Sequence, residues 1–381
     1  MKSKLLLGLL LSVMVFLDYE CFSQSFTTAD YKKACWMTTR SYGGQRSSEK
    51  NGGPYNWIVM NNGSGKDFTT DADNGYDLSG GWFDCGDHVK FGQTQFYSGY
   101  MLLKGYDLWP AGYGDYYSQN YAGYSKVQDF TWEGNKHDPD GIPDILNEVK
   151  YATDFFIKCS RDANTFYYQI GEGNADHKHW VTSVKMATLG AGEGGSPRPV
   201  YKNPADASMP SFCGATLALM SRKYRPIDAK YADTCLAHAL YCYTYAKAHP
   251  GSVGCAGGTF YGANAKWQDD FATLCTELYY ATNDAKYKTE ALSYENNLSN
   301  HNYCFGYNDD DDIAAYNLAT LGSSKSAALL NTFASTYKAA VTNGIYNGGN
   351  TTWGPLRYNA NAAFIVAVND LLNGVTTVDP F

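Results

Sequence analysis

Residues 144–158 read DILNEVKYATDFFIK, and Ile145, Leu146, Val149, Ala152 and Phe156 fall on one stripe at helical spacing. Pro143, just ahead of them, suits a first helical turn, where a missing N–H costs nothing. Such stripes recur along the chain, whereas the period-two alternation of a half-buried strand is almost absent. The core must therefore form by packing helices on helices. The spacing predicts ten of them: about 28–41, opened by Thr27 or Thr28; 93–106; one beginning in GIPDILNEVKYATDFFIKC; then 210–223, 228–248, 268–282, 285–298, 310–321, 324–341 and 356–373. Neither a Pro/Ser/Thr-rich linker nor a fixed-period repeat divides them, so one all-α domain over about 25–381 is expected. Loops at roughly 43–92, 107–142 and 161–208 carry much of the aromatic and acidic content. Long loops on a compact helical body are usually functional.

The totals exclude several classes. At 44% hydrophobic and 18% charged residues, the chain is no disordered protein. A net charge of −8 with no Lys/Arg cluster argues against nucleic acid or an anionic membrane as partner. The 33 tyrosines stand out. A flat apolar ring with a polar tip suits a surface that binds something flat and hydroxylated, such as a sugar, although core packing is the simpler role for most of them. MKSKLLLGLLLSVMVF places two lysines before an apolar run from Leu5 to Phe16, too short to span a bilayer and ordered like a secretory signal. The expectation is a signal peptide over 1–24, cleaved near Ser23–Ser25, and a secreted, extracellular, monomeric domain. Nine cysteines would remain, an odd number that leaves at least one unpaired. Cys213, Cys235 and Cys275 lie on apolar helical faces, where a thiol serves as a small hydrophobe.

Gly80 to Gln93 reads GGWFDCGDHVKFGQ. Acidic side chains usually occupy solvated faces, yet Asp84 and Asp87 sit among Trp82, Phe83, His88 and Phe91. Two carboxylates at this spacing on one turn can share a water, one taking its proton while the other holds it. The rings lower the local dielectric and offer a face to a pyranose. The plain alternative is a hydrogen-bonded turn. Other motifs carry less. GAGEGG (Gly190 to Gly195) satisfies G-x-G-x-x-G, but no strand precedes it and SPRP follows where a helix should start. His177 and His179 form H-x-H without an evident third metal ligand. DPDG (Asp138 to Gly141) and the run Asp309 to Asp312 complete no EF-hand, and G-x-S-x-G is absent.

The acidic stretch resembles the G-G-[WY]-x-D-[AC]-G-D-x-V-K-F motif of glycoside hydrolase family 9, the inverting β-1,4-glucanases. GGQRSS (Gly43 to Ser48), DGIPDILNEVKYATDFFIK (Asp140 to Lys158), YYQIGEGNADHKHW (Tyr167 to Trp180), ELYYATNDAKY (Glu277 to Tyr287) and WGPLRYNANAAF (Trp353 to Phe364) are similar to further family segments, in the family's order. The resemblance implies an (α/α)6 barrel with about ten of twelve helices present, and an open cleft for a β-1,4-glucan such as cellulose. It implies Asp87 as general base and Asp84 as co-holder of the attacking water. His177, Trp180, Trp353, Arg357 and Tyr358 match family positions lining the cleft. No cofactor is required. Many members carry D-E in a structural calcium site where this chain has Asp269–Asp270; Asp312 could complete such a site, although a neighbouring tryptophan position differs.

One departure is larger. An inverting glycosidase needs an acid across the scissile bond, roughly 6.5–9.5 Å from the base. Asp84 shares a turn with Asp87 and cannot be that acid. The family's acid is a Glu in N-E-x-x-x-x-[YW]-N-A, after a P-H-x-R loop, and neither pattern occurs here. Glu172 lies in a cleft-lining segment with nothing to turn it towards the base. The expectation is therefore a family member lacking its acid and C-terminal helices, with weak or absent cellulase activity. Poor solubility should follow, since uncovered apolar faces cost about 25 cal/mol per Å². The competing reading is a non-catalytic β-glucan-binding protein, which would retain cellulose without releasing reducing sugar. A polysaccharide lyase on a similar barrel would need a Tyr/His base and would yield unsaturated, ultraviolet-absorbing products.

Overall fold

The structure is a computed structural model that describes residues 27–47, 68–115, 139–301, 304–348 and 354–375. The expected signal segment and Trp353 lie outside the described residues. All ten expected helices are present: α1 Thr28–Gly43, α2 Gly92–Leu108, α3 Asp144–Cys159, α6 Ser208–Tyr224, α7 Ala229–Ala248, α8 Gln268–Thr282, α9 Ala285–Ser293, α10 Asp311–Thr320, α11 Ser324–Ala339 and α12 Pro355–Leu372. Two four-residue helices join them, α4 Gly173–Asp176 and α5 Ser183–Met186.

The long helices alternate between an inner and an outer ring. Inner helices α2, α6, α8, α10 and α12 pack on one another in that order; outer helices α3, α7, α9 and α11 lean on inner neighbours, and α1 packs on α3. Burial follows the sequence pattern. Outer α7 buries only Ala232, Cys235, Ala239, Cys242, Tyr245 and Ala246, a stripe at three- and four-residue spacing. Inner α10 buries every residue except Thr320. Close approach of α6 to α7 and α8 depends on Gly214, where an added Cβ would lie 2.7 Å from Cys242 Cβ and 2.8 Å from Leu274 Cδ1. The buried thiols fill space as expected, and all nine described cysteines are unpaired.

Buried ions tie the inner ring together. Glu277 on α8 accepts from Lys104 on α2 at 2.8 Å, Arg222 on α6 at 2.6 Å and Tyr100 at 3.1 Å. Burial opposes its ionisation, but the two cations outweigh that and hold its pKa at about 2. At the far end of the ring, Asn361 of α12 donates to the Tyr97 hydroxyl of α2 at 3.3 Å, and Phe364 meets Trp109 edge-on. Apolar side chains stay exposed on the first and last helices, notably Met37 and Leu356. No described helix is long and apolar enough to cross a membrane.

Strands that the sequence did not announce complete the fold. β3 (Lys90–Phe91), β4 (Tyr167–Ile170) and β5 (Val200–Lys202) form an antiparallel sheet in the order β3-β4-β5. β1 (Ala72–Asp73) with β2 (Tyr76–Asp77), and β6 (Val341–Thr342) with β7 (Ile345–Tyr346), form two small hairpins. The three-stranded sheet matters most, because it brings the 80–93 stretch alongside residues 171–180.

Candidate active site

Backbone bonds fix the acidic turn from both sides. Phe83 N–H donates to Gln45 O at 2.7 Å, Ser47 N–H to Gly81 O at 2.8 Å, and Asp84 N–H to Val89 O at 3.1 Å. Lys90 and Phe91 then pair with Ile170 and Gln169. Asp87, only 6% exposed, accepts from Val89 N–H through Oδ1 at 2.9 Å, and its Oδ2 lies 3.0 Å from His177 Nε2. Burial and the neighbouring Asp84 charge raise its pKa to about 6, against the pull of the His177 bond. Asp84 accepts from Thr94 Oγ1 at 3.0 Å and from the Tyr261 hydroxyl. Burial pushes its pKa up against those bonds. One oxygen of Asp84, one of Asp87 and Cys85 Sγ all lie within 4.8 Å of one another. A single water fits between carboxylates at such a separation, within hydrogen-bond reach of both.

An aromatic platform adjoins the pair. Trp180 is 69% exposed and lies parallel to the His177 ring, with centroids 5.3 Å apart and planes 15° apart. Its edge rests on Gly86, where an added Cβ would sit 2.9 Å from the indole. A pocket of about 470 Å³ opens here, lined by Gln45, Phe83, Cys85, Asp87, Trp180 and Ser183 among others. Phe260 meets the other side of His177 edge-on at 4.3 Å. The loop bearing Phe260 and Tyr261 is fastened to the same floor: Gln93 donates to Gly262 O at 2.7 Å, and Gln169 exchanges two bonds with Ala256, each 2.8 Å.

The remaining expected residues fall as follows. The Arg357 guanidinium lies 4.5 Å over the Tyr358 ring at the start of α12. Both act electrostatically on Tyr307, as does Asp84, and the Tyr307 ring meets that of Tyr261 at 5.0 Å. The structure thus gathers Asp84, Asp87, His177 and Trp180 into one site, to which Arg357 and Tyr358 connect only through Tyr307 and Tyr261. Tyr261, Thr94 and Phe260 belong there too and were missed. Glu172 caps α4 by accepting from Asn174 and Ala175 N–H. The other described glutamates are also engaged: Glu148 with Arg46, Glu193 with His179, Glu277 as above, Glu290 with Tyr243 and Lys247, and Glu295 with Ser323.

The carboxylate cluster differs from expectation in one member. Asp269, Asp270 and Asp310, each almost fully buried, bring one oxygen apiece within 4.8 Å of one another. Asp312 turns away instead, accepting from the Tyr337 hydroxyl at 2.7 Å and Phe305 N–H at 3.1 Å. Neither oxygen of Asp310 receives a hydrogen bond, nor does Oδ1 of Asp269. Burial raises the proton affinity of all three. Three hard oxygens with unmet demand for positive charge fit a divalent cation.

Comparison with known proteins identifies the family. The family model for glycosyl hydrolase family 9 matches residues 31–377. The chain belongs to that family. Among curated relatives, endoglucanase A of Fibrobacter succinogenes is 38% identical over 277 residues, which cover 72% of this chain and 59% of the relative. Endoglucanase B of Cellulomonas fimi is 29% identical over 363 residues, 90% of this chain and 31% of the relative. The chain thus spans less than two thirds of these curated relatives. A cellulase of C. cellulolyticum, solved alone and in complex with cellobiose, superposes with a TM-score of 0.71 at 30% identity, over 90% of this chain and 74% of that one. The endoglucanase of the termite Nasutitermes takasagoensis gives 0.69 at 27% identity, over 90% and 73%. The fold is the family 9 (α/α)6 barrel, to which the described residues contribute ten long helices.

Proposed function

We propose that this site hydrolyses internal β-1,4-glucosidic bonds of cellulose or a related β-glucan with inversion at the anomeric carbon. The observation carrying this reading is the Asp84–Asp87 pair, set on one turn at a water's width beside the exposed Trp180–His177 platform. A sugar laid on the indole would present its anomeric carbon to that water. Asp87 accepts the water's proton as its oxygen bonds to the carbon, the glycosidic oxygen departs, and Asp84 keeps the water aligned. Arg357 and Tyr358 would donate hydrogen bonds to sugar hydroxyls. The departing oxygen needs a proton from an acid, and each described glutamate is committed to another partner. That commitment is what favours the second reading, a glycan-binding site without turnover. We further read the protein as acting outside the cell, on the lysine-then-apolar order of its first residues.

Dinitrophenyl β-cellobioside separates the two readings, because its leaving group departs without protonation and so tests the base alone. Proton NMR of the released cellobiose should show the α-anomer first. Initial β-anomer would exclude inversion, and binding without release would establish the glycan-binding reading.

We also propose a structural calcium-type cation held by Asp269, Asp270 and Asp310, where it would offset charge that burial otherwise disfavours. Removal with a chelator should lower the melting temperature by about 5 °C, the scale expected when a ligand at roughly 100 times its Kd contributes ~2.7 kcal/mol. Calcium should restore it. An unchanged melting temperature after exhaustive chelation would remove the cation from this picture.

A further inference from the structure

The residue after the base is gripped at both of its peptide groups. Asp176 accepts from His88 N–H at 3.1 Å, on the peptide joining Asp87 to His88. Arg198 donates from Nη1 to the His88 carbonyl, on the peptide joining His88 to Val89. That second peptide is the one whose N–H, at its other end, donates to Asp87 Oδ1. Arg198 therefore draws on the carbonyl of the unit that holds the carboxylate, which orients the N–H and strengthens it as a donor.

Neither clamp is free to drift. Arg198, 7% exposed, forks onto Asp71 through Nε at 2.9 Å and Nη2 at 2.5 Å, and its guanidinium lies 3.9 Å over the Phe68 ring. Lys90 reaches Asp71 from the other side at 2.8 Å. Burial opposes Asp71's charge, but Arg198 and Lys90 prevail and hold its pKa below the usual carboxylate range. Asp176 is 1% exposed, and its second oxygen, Oδ2, receives no hydrogen bond. A carboxylate that served only as a brace would gain by being an amide there, since burial penalises its charge. Its charge falls instead on Asp87.

We infer that Asp176 and Arg198 are positioning residues for Asp87, gripping the peptides on either side of His88 and setting both the place and the basicity of the carboxylate. The inference rests on the reading of Asp87 as the base. Charged and titratable groups facing Asp87 are Asp84 and Cys85 from its own turn, His177 and Asp176 from the 171–180 segment, and the Tyr261 hydroxyl from the opposite loop. Arg198 and His177 also act on Asp176, and the His88 ring nitrogen Nδ1 lies 3.8 Å from its Oδ1. Removing the Asp176 charge while keeping an acceptor for His88 N–H should therefore make Asp87 a weaker base.

The test is a carboxyl-carbon NMR titration of the full chain labelled at aspartate, with the Asp87 resonance assigned by its loss in Asp87→Asn. Asp176→Asn should lower the Asp87 midpoint by at least half a pH unit. Arg198→Lys, which keeps the charge but loses the fork, should broaden or displace the Val89 amide resonance. On dinitrophenyl β-cellobioside, Asp176→Ala should reduce kcat at least tenfold with KM within twofold. An Asp87 midpoint unmoved within 0.2 pH units in Asp176→Asn would overturn the inference, with or without turnover. Failure of the hydrolytic reading would look different: the wild-type chain would bind the cellobioside without releasing dinitrophenol, or Asp87→Asn would leave its cleavage intact.

Discussion

Replacing Asp87 with asparagine should abolish nearly all hydrolysis of dinitrophenyl β-cellobioside, a fall of 100-fold or more. Positioned general bases contribute roughly 10²–10⁴-fold. The amide preserves the side chain's shape and its bond from Val89 N–H, so binding of cello-oligosaccharides should survive and the loss should appear in kcat. In the wild-type chain, kcat/KM should rise with pH through an acid limb near 6, because burial and Asp84 raise Asp87 to about that value and only the ionised form accepts a proton. The same shift sets a stability trend. A carboxyl whose folded pKa lies above its unfolded value favours folding below the unfolded pKa, and that favour is lost as pH rises through the folded one. Asp87→Asn should therefore be more stable than the wild type at pH 8, by on the order of 2 kcal/mol, and melt at a higher temperature, with the gap closing below about pH 4. Wild-type turnover by Asp87→Asn, or a limb that it leaves in place, would assign the base elsewhere.

The second large effect concerns the scaffold under that turn. Arg46 forks onto Glu148 at 3.0 and 2.5 Å, both side chains wholly buried, and Trp82 Nε1 donates to the same carboxylate at 2.9 Å. The guanidinium also lies 4.5 Å over the Tyr151 ring. These contacts bind α3, the end of α1 and the start of the acidic turn into one unit. Arg46→Met strands an anion with one indole donor, which should cost about 3–5 kcal/mol and roughly 10 °C in melting temperature. The double variant Arg46→Met/Glu148→Met should recover much of that loss, because a buried pair replaced by packed apolar groups is often nearly neutral. Thermal unfolding of the single and double variants decides this. A single variant melting within 2 °C of the wild type would show that Glu148 finds other partners.

The helices were readable because outer helices such as α7 need one apolar stripe, and inner ones such as α10 need apolar residues all round. Strands of two to four residues leave no alternation to detect, so the sheet that aligns the site stayed hidden. Asp84 and Asp87 showed themselves as acids among rings. Tyr261 could not, being one of 33 tyrosines in a glycine-rich loop and 177 positions from the carboxylate it serves. The four aspartates from 309 to 312 show a different limit. Successive residues near a helix start point about 100° apart. Asp309 meets His301, Asp310 joins Asp269 and Asp270, Asp311 meets Lys266, and Asp312 meets Tyr337. Composition marks such a run as acidic but cannot say which member faces which neighbour, and hence Asp312 was expected where Asp310 stands.

The fastening of the 250–264 loop has a consequence for durability. Tyr261 secures Asp84, Phe260 braces His177, and Gln93 and Gln169 pin the loop's backbone on either side. Lifting that segment and dismantling the water cradle are one and the same event. Any condition that opened this loop before the rings of helices would remove the proposed chemistry ahead of the fold.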